Sequence, residues 1–115
     1  MFGKPIAGTQ IQQQKLAQMA LEVNRGTLLA LHLGRLKDAG RLHPAQVSMG
    51  KLGNVNAALE VARTARQVLG ANGITLEYPV IRHMNNLESV VTYEGTADVH
   101  ALVIGGELTG IQAFR

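Results

Sequence analysis

There is no cysteine in this chain and no tryptophan, and only three prolines. Without cysteine there is no disulfide framework, no thiolate nucleophile and no thiolate metal ligand, which permits a reducing compartment. The only aromatic residues are Phe2, Tyr78, Tyr93 and Phe114. The core must therefore be built from Leu, Val, Ile, Ala and Met, the usual filling of packed helices. Single-stranded nucleic-acid binders stack bases on aromatic rings, and such rings are scarce here. Charge of one sign is also weak: the formal net charge is +3, with the basic residues spread along the chain. A nucleic-acid partner is not expected from that distribution. The most apolar run, "TLLALHLG" at 27–34, is far short of the roughly 20 residues a bilayer requires. Residues 1–25 lack the basic start and apolar run of a secretory signal. The reading is a protein of the bacterial cytoplasm or the mitochondrial matrix, with no membrane partner.

What is present is helical patterning. Apolar residues make up 46% of 115 residues, enough for one domain. A compact chain of this length buries roughly two-thirds of its unfolded surface in a modest core. "MFGKPIAGTQ" reads as an extended lead-in, with Thr9 as a side-chain N-cap. A first helix follows to about Asp38, carrying Leu16, Met19, Ala20, Val23 and Thr27 at three- and four-residue spacing. Beyond Leu28 it is apolar nearly all round, which predicts burial on several faces, with His32 a core or interface residue. Gly26 and Gly34 predict close approach of another backbone, and Gly40 a left-handed stop. A second helix starts near Pro44 and carries the stripe Leu52, Val55, Leu59, Ala62 and Leu69. "GANGI" at 70–74 predicts a tight turn. A short helix spans about 79–89, "TYEG" is a bend, and a last helix spans about 96–108. Thr96 caps that helix and Asp98 complements its positive end. Strict alternation is absent, so no strand is read. The fold class is all-α, an up-and-down helical bundle.

Two glycine-bearing bends, "LGANG" and "YEGT", are the candidate site. Glycine lets a ligand approach the backbone, and an acid on a bend can project into a cavity. Each has a plainer reading: "GANG" as a helix C-cap, Glu94 as a solvated acid and Tyr93 as a packed ring. The histidines His32, His43, His83 and His100 show no paired metal spacing, so no metal site is read.

Four segments resemble the C-terminal helical domain of the acyl-CoA dehydrogenases, most nearly the glutaryl-CoA dehydrogenases. They are "FGKPIAGTQ" at 2–10, "LGRLKD" at 33–38, "ARQVLGANGI" at 65–74 and "IRHMNNLESVVTYEGTADVHALVIGGELTGIQAF" at 81–114. The resemblance implies an FAD-dependent enzyme of fatty-acid and amino-acid catabolism that dehydrogenates an acyl-CoA. It implies that Glu94 is the general base, removing a proton from the alpha carbon of the acyl thioester. It makes Tyr93 and Gly95 substrate-lining. The cofactor side is expected to include Phe2, Gln67, Gly70, Ala71, Asn72, Gly73, Thr96 and Asp98, with Gln67 and the 70–73 turn reaching FAD bound mainly by a neighbouring subunit. Electron-transferring flavoprotein is the implied acceptor and a homotetramer the implied assembly. Ala71 stands where the family usually has a second glycine. A free glutamic acid titrates near about 4.3, and enclosure in an apolar site moves such a group toward neutral pH.

The same resemblance places an N-terminal helical domain, a middle β-domain and the first helix of the C-terminal bundle outside these 115 residues. The isolated chain is accordingly expected to be inactive and not to retain FAD. The alternative is a non-catalytic helical oligomerisation module derived from the family.

Overall fold

In the computed structural model, residues 3–113 are described. Phe2, expected on the cofactor side, lies outside them. Four α-helices make up the described chain: α1 (Gln10–Asp38), α2 (Pro44–Val68), α3 (Val80–Thr92) and α4 (Ala97–Thr109). Short 3-10 turns occupy Ile6–Gly8 and Gly70–Ile74. No strand occurs among the described residues, and the class is all-α as the patterning implies.

The helix ends follow local chemistry. After α1, Gly40 takes φ 67, the Gly40 amide donates to the Lys37 carbonyl at 3.0 Å and the Arg41 amide to the Leu36 carbonyl at 2.9 Å. That pair of bonds is a Schellman stop, and glycine supplies it because a left-handed residue with a Cβ is strained. Pro44 opens α2, where a missing amide is harmless. The preceding amide of His43 donates to the Gln46 side chain at 2.8 Å. At the other end of the fold Gly110, at φ 72, closes α4.

Several expectations need correction. The lead-in is not extended: Ile6–Gly8 form a turn, and the Thr9 hydroxyl donates back to the Ile6 carbonyl at 2.8 Å. Thr9 stands at the N-cap but makes no side-chain cap, because its hydroxyl is spent closing that turn. "GANGI" forms a full 3-10 turn rather than a tight turn. Helix α3 extends three residues past the expected Ser89, because its β-branched end packs against α2 instead of fraying into a strand-like segment.

The largest difference concerns α1. It has no buried residue, and Leu28 remains 66% exposed; His32 is exposed as well. Gly34 faces open space, and Gly26 makes room for a side chain, Asn54, rather than for a backbone. The Asn54 amide donates to the Gly26 carbonyl at 3.0 Å, tying α1 to α2.

The core lies along α2, which packs against each of the other three helices. Its buried apolar residues are Ala45, Leu59 and Ala62, joined by Ser48. Close approach of α1 explains Gly50: a Cβ there would meet Leu33 Cδ1 at 2.3 Å. The radius of gyration is 17.6 Å, against about 13 Å for a compact chain of this length. The accessible surface of 8276 Å² likewise exceeds the roughly 6,100 Å² expected of a compact chain of this mass. The modest core expected from length is therefore not closed within this chain; α1 is a long arm covered on one side only.

Candidate functional site

Helix α3 stops because Tyr93 turns to an extended backbone, φ −84 and ψ 165, after its amide bonds the Ser89 carbonyl at 3.0 Å. Helix α4 starts because the Thr96 hydroxyl accepts from the Val99 amide at 3.3 Å, as the sequence predicts. Between those two ends lie Glu94, at φ 53, and Gly95, at φ 93. Two successive positive φ values are those of a type I′ turn. Glycine adopts them freely. For a glutamate the left-handed region costs about 1–2 kcal/mol. Glu94 is the one non-glycine residue with positive φ among the described residues. Strain of this kind, once observed, is grounds for suspecting function.

The bend is gripped from two sides. The Lys51 ammonium, from α2, donates to the Tyr93 carbonyl and, at 2.6 Å, to the Gly95 carbonyl. The same ammonium lies 5.8 Å from the centre of the Tyr93 ring, within range of a cation–π attraction. On the other side, a Cβ on Gly95 would stand 2.8 Å from His100 Nε2. His100 Nδ1 is 3.1 Å from the Ser48 hydroxyl, and its Nε2 is buried without a hydrogen-bond partner among the described residues. Gly95 is thus required twice, by its φ and by the imidazole against it.

The Glu94 carboxylate makes no hydrogen bond or ion pair among the described residues, and the residue is exposed. The apolar enclosure expected around it is not supplied by this chain. Tyr93 is half exposed, so its ring is not the packed ring of the plainer reading. Asp98 is exposed in the first turn of α4.

The second cluster stands apart. Lys51 and Arg66 mark the two ends of the relevant stretch of α2, about 22 Å apart at the helical rise. Lys51 meets the 93–95 bend, whereas the Arg66 carbonyl meets Gly73, where a Cβ would approach it to 2.2 Å. Gly73 is buried by that contact. Gly70 takes φ 59, as a helix C-cap glycine does. Gln67, Ala71 and Asn72 are exposed. The Asn72 carbonyl accepts from both the amide and the hydroxyl of Thr75, at 3.2 and 2.9 Å. The expected site residues therefore form two surfaces at opposite ends of α2, not one pocket.

Two charge features lie away from the bend. Glu60 and then Glu88 hydrogen-bond the Arg63 guanidinium and raise it above its ordinary value; the 2.7 Å contact to Glu88 links α2 to α3. Glu77 lies below the usual glutamate range, held there first by its own backbone amide. No group of three His, Cys, Asp or Glu is placed to hold a metal among the described residues, and no helix there is long and apolar enough to cross a membrane.

Sequence reading missed Lys51, Ser48 and the face of His100. Lys51 sits among small and apolar residues in "VSMGKLG", but its partners are more than forty residues away, and local periodicity carries no trace of that pairing.

Comparison with known proteins fits this architecture. The family model for the acyl-CoA dehydrogenase C-terminal domain matches residues 1–109. A glutaryl-CoA dehydrogenase of Desulfococcus multivorans is 37% identical over 112 residues, 96% of this chain and 29% of that protein. A crystal structure of glutaryl-CoA dehydrogenase from Mycobacterium smegmatis superposes with a TM-score of 0.97 at 67% identity, over 100% of this chain and 30% of that one. A second glutaryl-CoA dehydrogenase structure from that organism, in complex with FADH2, gives a TM-score of 0.97 at 56% identity, with the same coverage. The chain thus spans less than a third of the length of these relatives. Over that span the match is continuous and takes in both bends: the chain belongs to the acyl-CoA dehydrogenase family, of which it is a C-terminal domain.

Proposed function

We propose that this domain supplies the general base of an FAD-dependent acyl-CoA dehydrogenase acting on a glutaryl-CoA-like thioester, and that Glu94 is that base. One observation carries the reading: Glu94 is held in a left-handed bend with its carboxylate exposed and unengaged, so it is available to another molecule. In this role Glu94 takes the proton from the alpha carbon of the acyl thioester. Tyr93 and Gly95 flank it and line the acyl group. A bound flavin, held in part by Thr96, Asp98, Gln67 and the 70–73 turn, would supply the oxidant for the beta carbon.

The residues present fit such a cofactor. Thr96 has its hydroxyl oxygen engaged in the cap and keeps its hydrogen to donate, beside the exposed Asp98. The 70–73 turn and Gln67 offer exposed amide groups at the far end of α2. Two clusters that far apart favour contact with two different flavins in an oligomer, the second bound mainly by another copy. The domain arrangement proposed is an N-terminal helical domain and a middle β-domain completing the enclosure of Glu94. A homotetramer, electron-transferring flavoprotein as acceptor and a setting in the bacterial cytoplasm or the mitochondrial matrix complete the proposal.

The test is Glu94→Gln in the holoenzyme. General-base catalysis contributes about 10²–10⁴-fold, so turnover should fall by at least that much with flavin content unchanged. Turnover at the unsubstituted rate would remove Glu94 from this role. A second reading, a helical association module without chemistry, is favoured by the apolar exposure of α1; such a protein would carry no flavin and show no turnover to lose.

A further inference from the structure

We propose that Lys51 is the positioning residue for Glu94: its ammonium holds the carbonyls on either side of that residue and so keeps the left-handed bend in place. This rests on the reading of Glu94 as the base, but the geometry is independent of it.

Among the described residues no backbone hydrogen bond closes the turn from Tyr93 to Thr96. A type I′ turn is ordinarily closed that way. Here the Lys51 ammonium takes over, donating to Tyr93 O and to Gly95 O. An ammonium has three protons to donate and no fixed fork, so one group can satisfy two carbonyls that diverge around a strained residue. Its position over the Tyr93 ring fixes a third direction.

Lys51 lines a small crevice beside the bend with Leu52, Val55, Val91, Ala97 and His100. The long stem is therefore half-buried and its head is delivered to a defined point. His100 closes the opposite face of Gly95. The bend is clamped between a cation from α2 and an imidazole from α4, and Glu94 is the residue left projecting.

A plainer role would be to cap α3, since cations favour helix C-termini. Tyr93 O belongs to that terminus. Gly95 O does not: it lies two residues past the cap and carries no helical bond. A capping lysine has no reason to reach it, whereas a clamp on Glu94 must hold both sides. A positioning role predicts consequences that capping does not.

The experiment is Lys51→Met in the holoenzyme, with Lys51→Arg beside it. Misplacing a catalytic group by about 1 Å can cost about 10²-fold, so kcat should fall on that order. KM for the acyl-CoA should change much less than kcat, because proton transfer depends on where Glu94 stands whereas Tyr93 and Gly95 are only part of the acyl lining. Lys51→Arg, which keeps the charge and the donors, should recover part of kcat. The crystal structure of the Lys51→Met holoenzyme should show Glu94 out of the left-handed region. Glu94 unchanged near φ 53, or kcat undiminished in a folded, flavin-loaded enzyme, would overturn the proposal.

A folding readout covers the case in which Lys51→Met is too unstable to study. Glycine adopts the left-handed bend without help, so in a Glu94→Gly background the loss of the clamp should matter less. The drop in melting temperature on removing Lys51 should be at most about half that in the parent, since contacting residues couple strongly; an equal drop overturns the clamp. If instead Glu94→Gln leaves turnover intact, the base assignment falls alone, and the bend geometry and the coupled unfolding still decide what Lys51 does.

Discussion

A glycine can be present because the backbone needs its φ, because a neighbour needs its volume, or because nothing forbids it. This chain has 13 glycines, and the three cases separate cleanly. Gly95 needs both φ and volume. Gly73 has an ordinary φ but stands where a methyl group would meet the Arg66 carbonyl at 2.2 Å. That atom is backbone at the end of α2 and cannot swing away. Gly73→Ala should therefore destabilise by about 1–3 kcal/mol, the usual range for overpacking, measured by urea unfolding. Gly34 is the opposite case: it sits inside α1, and a methyl group added there would have nothing within 4 Å. Gly34→Ala should stabilise by about 0.4–1 kcal/mol, by reducing the freedom of the unfolded chain. A urea midpoint that does not fall for Gly73→Ala would mean that the volume argument there is wrong. The same discipline bears on Ala71, where the resemblance leads one to expect glycine. Its side chain is exposed, so the extra methyl group is tolerated by the fold, and any cost falls on what the turn touches.

At the scale of elements, the legible parts were those set by local chemistry. The starts of α2 and α4 follow from Pro44 and Thr96, each acting within one turn of itself. The stop at Gly40 was readable for the same reason. The extent of α3 was not: three of the four residues of "SVVT" are β-branched, a weak helix signal, and their helical form goes with Val91 lying beside Leu52 and Val55 of α2. The burial of α1 was misread because apolar composition reports what a helix needs to cover, not what covers it. The pairing of Lys51 with the 93–95 bend was invisible, since it depends on α2 and α3 lying side by side. Glu94 itself was legible only through a long resemblance; as a bare acid in a bend it carries no signal of its strain. The α1–α2 contact offers a direct test at this scale. Asn54 reaches across to the Gly26 carbonyl at 3.0 Å, and Gly26 leaves the space for it, its absent Cβ lying 3.3 Å from Asn54 Oδ1. Asn54→Ala should cost about 0.5–1.5 kcal/mol, the net worth of a typical hydrogen bond. Loosening should be local, with faster amide exchange in the middle of α1 and unchanged exchange in α4. Uniform loosening of all four helices would mean that α1 contributes to one cooperative core after all.

At the scale of the whole molecule, which is 58 Å in its longest dimension, the question is what the α1 arm gains from being apolar. Leu21 is 51% exposed, Leu28 66% and Leu31 49%, and their seven- and three-residue spacings put them on one side of α1. Between α1 and α2 lie two open hollows, one including Met19 and Val61 with Gln18 and Glu60 at its edge, the other lined mainly by small and apolar residues such as Val23, Gly26 and Ala30. A contiguous apolar face of this kind is uncommon on a stable monomer and marks a surface that another surface covers. Hydrophobic burial stabilises at about 25 cal/mol per Å² of apolar area removed from water, so even partial coverage of α1 outweighs the loss of a surface polar contact. The chain on its own should therefore self-associate as concentration rises, and its melting temperature should rise with it, because association stabilises only the folded form. Sedimentation velocity across a hundredfold dilution series, paired with thermal unfolding at each concentration, reads both effects. Replacing Leu21 and Leu28 with glutamine should shift the distribution toward monomer while leaving the Lys51 clamp untouched, since the clamp lies on the α3–α4 side of α2. A single monomeric boundary and a concentration-independent melting temperature for the unsubstituted chain would mean that the exposed face is stable in water, and that the assembly proposed for the enzyme uses a different surface.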